Sequence, residues 1–124
     1  MEWLRILLLP ALVHVIDGDT VRQRGTTIRL QGFNTPEMHG QCPDEERLAR
    51  RAKARLESLV REGAFVVMGP GRCGYGRRCG SMILNGRDVG DILISEGLAE
   101  PYHCVDNHCP RRRSWCGGND GKAL

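Results

Sequence analysis

At 124 residues the chain holds one domain's worth of polypeptide, which excludes a catalytic site built between two lobes and leaves the loops of one small core as the place for chemistry. Sixteen Gly and six Pro mark a turn-rich chain of short strands, without internal repeat, low-complexity tract or linker. The net charge of +3 is too mild to define a partner, but Arg47, Arg50, Arg51, Lys53 and Arg55 fall in one run and Arg111, Arg112 and Arg113 in another, which are either solvated faces or surfaces for a polyanion.

The segment from Trp3 to Val13 is apolar apart from Arg5 and Pro10, far shorter than the ~20 residues of a membrane-spanning helix, so no membrane association is expected. Arg5 before a Leu-rich stretch resembles the remains of a secretion signal, yet no small-x-small cleavage site follows, and residues 1–10 are read as an N-terminal extension. Ala11 to Ile16 is β-branched or aliphatic and ends at Asp17-Gly18-Asp19, a strand running into a tight turn. Thr20 to Arg24 is a second strand, Gly25 a hairpin turn, and Thr26 to Phe33 a third strand with Ile28 and Leu30 on one face and Arg29 and Gln31 on the other. Pro36 ends this meander, and Glu37 to Pro43 reads as a loop.

Asp44 is the expected N-cap of the one long helix, in which Leu48, Ala52, Leu56, Leu59 and Val60 recur at helical spacing until Gly63. Ala64 to Met68 resumes as a strand, a glycine-laden loop runs through Gly76, and Arg78 to Leu84 is a further strand before the Asn85-Gly86 turn. Asp88 caps a short second helix with Ile92, Leu93 and Ile94 as its apolar body and Gly97 as its C-cap. This order predicts a mainly β fold with α: a five-stranded OB-fold barrel with one long and one short helix, forming a single domain over residues 1–124 with a Cys-rich tail from 104 to 124.

Taken alone, Asp17-Gly18-Asp19-Thr20 is what any tight turn contains. Arg29 follows at the outward parity of a strand, and Asn34-Thr35-Pro36-Glu37 follows at that strand's end, so oxygen ligands, a cation and a carboxylate converge at one barrel rim. Tyr75-Gly76-Arg77 adds a second arginine from a glycine-rich loop. With Val15-Ile16-Asp17-Gly18-Asp19-Thr20, Ile28-Arg29-Leu30, Asn34-Thr35-Pro36-Glu37, Tyr75-Gly76-Arg77 and Glu96-Gly97-Leu98-Ala99 in this order, the chain from roughly Val15 to Tyr102 resembles the staphylococcal nuclease (thermonuclease-like) family.

The resemblance implies a calcium-dependent nuclease acting on DNA and RNA, with Arg29 and Arg77 as phosphate-binding electrophiles and Glu37 as the acid beside the attacking water. Asp19, Asn34, Thr35 through its carbonyl, and Glu37 are the implied metal set. The chemistry is coherent, because the planar fork of Arg holds two phosphate oxygens at once and stays charged, while Ca2+ takes six to eight oxygen ligands in flexible geometry. The chain departs from the family at Asn34, where a second metal-binding Asp is usual, at Cys73-Gly74, where an acidic and a basic residue are common, and in lacking a long final helix.

The six cysteines admit two readings. Cys42, Cys104, Cys109 and Cys116, with His39, His103 and His108 as spare ligands, offer a structural zinc site of only partly zinc-like spacing. Structural disulfides are the reading taken forward, because the count is even and family members are commonly exported, which implies a periplasmic or secreted monomer. Cys73 and Cys79 flank Tyr75-Gly76-Arg77 and are expected to clamp that loop. Two rival functions follow: a family member that binds nucleic acid or protein without cutting, and a cysteine-held interaction domain whose Arg111 to Arg113 run meets acidic partners.

Overall fold

A computed structural model describes residues 12–117. The expectations for the 1–10 extension, for Ala11 and for residues 118–124 lie outside these. The elements run β1 (Val13–Asp17), β2 (Thr20–Gln23), β3 (Thr26–Leu30), β4 (Gly32–Asn34), α1 (Pro43–Arg61), β5 (Phe65–Arg72), β6 (Arg78–Leu84), β7 (Arg87–Asp88), α2 (Val89–Ser95) and β8 (Glu100–Tyr102).

The meander forms as expected, with β1 antiparallel to β2 and β2 antiparallel to β3. β3 then pairs in parallel with β6, and β6 pairs antiparallel with β5 and β7. The result is a six-stranded mixed sheet in the order β1-β2-β3-β6-β5, with β7 attached to β6, and a separate two-stranded sheet of β4 and β8. The five-stranded closed barrel is therefore corrected: the sheet is not closed, and there are more strands, since β1 and β5 are edges that do not pair with each other.

One cause is Gly32. At φ +97 it holds a conformation that a side chain makes costly, and it splits the expected Thr26 to Phe33 strand in two. β3 stays in the main sheet, while β4 turns to pair Gly32, Phe33 and Asn34 with Tyr102, Pro101 and Glu100. A second cause lies in β5, which extends through the expected glycine loop to Arg72 but loses register between Met68 and Arg72, where Pro70 has no N–H for a ladder.

α1 is capped two residues earlier than expected. Cys42, in extended conformation, is the N-cap, its sulfur accepting from the Glu45 N–H at 3.4 Å, with Pro43 in the first turn. Both helices end in the same double bond pattern: Gly63 N–H to Val60 O at 3.0 Å and Ala64 N–H to Leu59 O at 3.0 Å, then Gly97 N–H to Ile94 O at 3.0 Å and Leu98 N–H to Leu93 O at 2.9 Å. Asp88 caps α2 as expected, accepting from the Gly90 N–H at 2.7 Å.

The core is assembled from the residues that the periodicity marks. Val15, Val21, Ile28, Leu30, Met82 and Leu84 from the sheet meet Ala52, Leu56 and Leu59 of α1 and Val89 and Leu93 of α2. This packing places the Asp17–Asp19 turn against α1. A Cβ added at Gly18 would lie 2.7 Å from Thr35 Cγ2 and 2.9 Å from Ala52 Cβ, so only glycine lets that turn approach the Thr35 loop and the helix together.

Candidate functional site

At the rim where β1, β3 and β4 end, a cleft of about 1290 Å³ is lined by Asp19, Arg29, Asn34, Glu37 and Arg77. These come from four stretches of sequence, and the fold brings them to one cavity. Thr35 lies just behind the lining, its side chain buried and its N–H donating to Asp19 Oδ2 at 3.1 Å.

Arg29 is held from several sides. Its guanidinium donates to the carbonyls of Leu30 and Phe33 and to Asn34 Oδ1, and it lies 3.4 Å from Asp19 Oδ2. The Asn34 amide oxygen thus faces Arg29, while its Nδ2 is buried without a partner among the described residues. Arg77 is fixed by its own loop, donating to Gly74 O at 3.1 Å and Cys73 O at 2.9 Å, with its guanidinium 5.3 Å from the centroid of the exposed Tyr75 ring. The Cys73–Cys79 disulfide, Cα atoms 5.1 Å apart, closes the base of that loop as expected.

Three residues that the sequence reading left out belong to this site. Asp17 lines the same cleft and accepts from the Asp19 N–H at 3.1 Å. Burial, then the neighbouring Asp19 charge, pushes its carboxyl up to about 6. Glu45 is buried and accepts from the backbone N–H of Glu37 at 3.0 Å and of Gln41 at 2.9 Å, so it fixes the loop that carries Glu37. Its position three residues after the N-cap is the available signal, since a Glu there commonly reaches back to preceding N–H groups. Arg112 pairs with Glu37 through Oε2 and lines the cleft from the C-terminal segment. Nothing local to Arg112 announces this, because the contact spans the fold.

The cysteines form three pairs: Cys42–Cys116, Cys73–Cys79 and Cys104–Cys109. The zinc alternative is corrected, since its four thiols are consumed in two separate disulfides, and no group of three or more His, Cys, Asp or Glu able to hold a metal occurs among the described residues. Three disulfides are compatible with an extracellular or secreted protein. No helix among the described residues is long and apolar enough to cross a membrane.

A family model described as staphylococcal nuclease homologue matches residues 27–115. The chain belongs to the staphylococcal nuclease family. No curated protein matches it. Membership carries a nuclease-like or nucleic-acid-binding function, and staphylococcal nucleases are typically calcium-dependent hydrolases. The matched span includes most of β3 with Arg29, the Asn34 to Glu37 loop, the Arg77 loop and most of the disulfide-bonded tail.

The raised Asp17 carboxyl gives a testable consequence. The folded state keeps its proton up to about pH 6, whereas the unfolded chain releases it near the ordinary carboxylate value, so the folded state binds more protons between these limits. Asp17 therefore makes stability fall as pH rises from about 4 to about 6, with no further loss above. Asp17→Asn keeps the acceptor for the Asp19 N–H and removes the charge. In chelator, its melting temperature should exceed the wild type's above pH 6 and converge with it near pH 4. A difference that does not change with pH would contradict the assignment.

Proposed function

We propose that the chain is a calcium-dependent phosphodiesterase that hydrolyses DNA and RNA, acting as a single-domain, exported monomer. The observation that carries this reading is the convergence of two guanidiniums, Arg29 and Arg77, with the carboxylates of Asp19 and Glu37 on one cleft. A phosphodiester's negative charge repels the water that must attack it. Arg29 and Arg77 neutralise the non-bridging oxygens, and both are already oriented by carbonyl acceptors, so little reorganisation is needed as charge develops. Glu37 orients a water opposite the leaving oxygen and takes its proton as the new P–O bond forms; the old bond breaks with its electron pair going to the leaving oxygen, which takes up a proton from solvent.

The residues fit a calcium ion in the chemistry of their donors. Asp17 and Asp19 offer carboxylate oxygens at one turn, and Thr35 Oγ1, buried beside them, has no partner among the described residues. Asp17, Asp19 and the Thr35 backbone would hold the ion, with Asn34 and Glu37 as the remaining oxygen donors of the implied set. Bound there, it would supply positive charge beside the scissile phosphate.

Asn34 supplies no formal charge to this set, and its oxygen is engaged by Arg29. Asn34→Asp should lower the calcium concentration for half-maximal activity several-fold, because affinity follows the charge of the ligands. The calcium-dependent rise in melting temperature should shift in parallel. Unchanged midpoints in both assays, with the variant folded and active, would remove residue 34 from the metal set. A second reading, nucleic-acid binding without cleavage, is favoured by one observation: Glu37 and Asn34 are both occupied by arginines. Binding of single-stranded DNA without any cleavage in saturating calcium would select it.

A further inference from the structure

Resting on the nuclease reading, we infer that Arg112 is a third phosphate-binding arginine of the cleft, delivered there by the disulfide-anchored C-terminal segment. The three guanidiniums that line the cleft differ in how they are engaged. Arg29 has two carbonyls, Asn34 and Asp19 around it, and its side chain is 17% exposed. Arg77 donates to two carbonyls of its own loop. Arg112 has a single hydrogen-bond partner among the described residues, Glu37, and both side chains are about half exposed, at 48% and 52%. An exposed ion pair of this kind is weakly held, so an incoming phosphate, which can present two acceptor oxygens to one guanidinium, competes for it readily. The exchange also releases Glu37 Oε2 to the water that it activates.

Arg112 stands on a backbone that is fixed without substrate. Cys116 is bonded to Cys42 at the start of α1, and Cys104–Cys109 closes a small turn that Val105 and His108 bridge. Between them Trp115 is buried with the Arg113 guanidinium 4.1 Å from its ring centroid, and the Arg113 N–H donates to Glu100 Oε2 at 3.1 Å. Arg111 to Arg113 is thus a clamped strip at the cleft edge, and a phosphate contact from it needs little ordering of the chain.

The test is the affinity of a fluorescein-labelled single-stranded oligonucleotide measured against salt concentration, in chelator so that nothing is cut. Loss of one phosphate contact should lower the salt slope by about 0.7 and the affinity at 0.1 M salt by about fivefold. Arg112→Ala should show both changes with an unaltered melting temperature, and Arg112→Lys should restore the slope. Arg112→Gln replaces alanine if the shorter side chain unsettles the segment. The Cys42→Ser/Cys116→Ser double variant should lose the same contact. Unchanged slope and affinity in Arg112→Ala would overturn the inference, as would tighter binding in chelator together with faster cleavage when calcium is restored, by making Arg112 a blocking group. If the wild type binds DNA but never cuts it, the nuclease reading fails while the slope still decides Arg112. If it does not bind, both fail.

Discussion

Arg77→Ala and Glu37→Gln should each lower turnover by at least ~100-fold while the protein stays folded, the size expected for loss of one transition-state donor or of a general base. The two are clean tests for structural reasons. Among the described residues the Arg77 side chain hydrogen-bonds to Cys73 and Gly74 and lies against the Tyr75 ring, all in a loop already closed by a disulfide, and the Glu37 backbone stays held by Glu45 whatever its side chain. Arg29→Ala should lose as much activity and also stability, because the carbonyls of Leu30 and Phe33 and the largely buried Asp19 lose their cationic partner. Parallel melting curves separate the two classes. Wild-type rates in folded Glu37→Gln would sink the mechanism.

Reduction of the disulfides should be the largest perturbation of stability. Cys42–Cys116 closes a loop with a sequence separation of 74, whereas the other two span 6 and 5. On loop length alone, the first removes about 4 kcal/mol of unfolded-state entropy and each of the others about 2. Cys42→Ser/Cys116→Ser should therefore lower the melting temperature by roughly 15 °C, and the Cys104–Cys109 double variant by about half of that. Equal small shifts for both would mean that loop closure is not what this disulfide contributes. Mass spectrometry without reductant should find the chain lighter by the hydrogens of three disulfides, with no free thiol.

The parts of the fold that were legible in the sequence are those that local chemistry determines. Ile28 and Leu30 alternate with Arg29 and so point inward, and the spacing of Ala52, Leu56 and Leu59 specifies which face of α1 meets the sheet. Gly63 and Gly97 end the helices where chirality would have them end. The departures have physical causes that no local pattern carries. Gly32 reads as one more strand residue until its partner, Tyr102, is known, and a disulfide sulfur as N-cap is not among the usual capping atoms, so Asp44 looked the better candidate. Parallel pairing of β3 with β6 joins segments about 50 residues apart, and nothing in either strand specifies it.

The site divides the same way. Asp19, Arg29, Glu37 and Arg77 were singled out because the resemblance aligns motif by motif, and the fold brings them to one cleft; the Cys73–Cys79 pairing was legible because both ends flank one short loop. Arg112 and Glu45 were missed, since each acts on Glu37 through a contact that exists only after folding. Asp17 was within reach: it shares a turn with Asp19, one glycine away, so each charge disfavours the other.

The central claim, that this cleft cuts phosphodiester bonds with the help of calcium, is tested most directly by incubating the oxidised protein with single-stranded DNA in calcium and in chelator, with Arg77→Ala alongside. The wild type should give fragments in calcium and none in chelator, and the variant at least ~100-fold fewer in calcium. Intact DNA in every lane, or equal cleavage by wild type and Arg77→Ala, would contradict it.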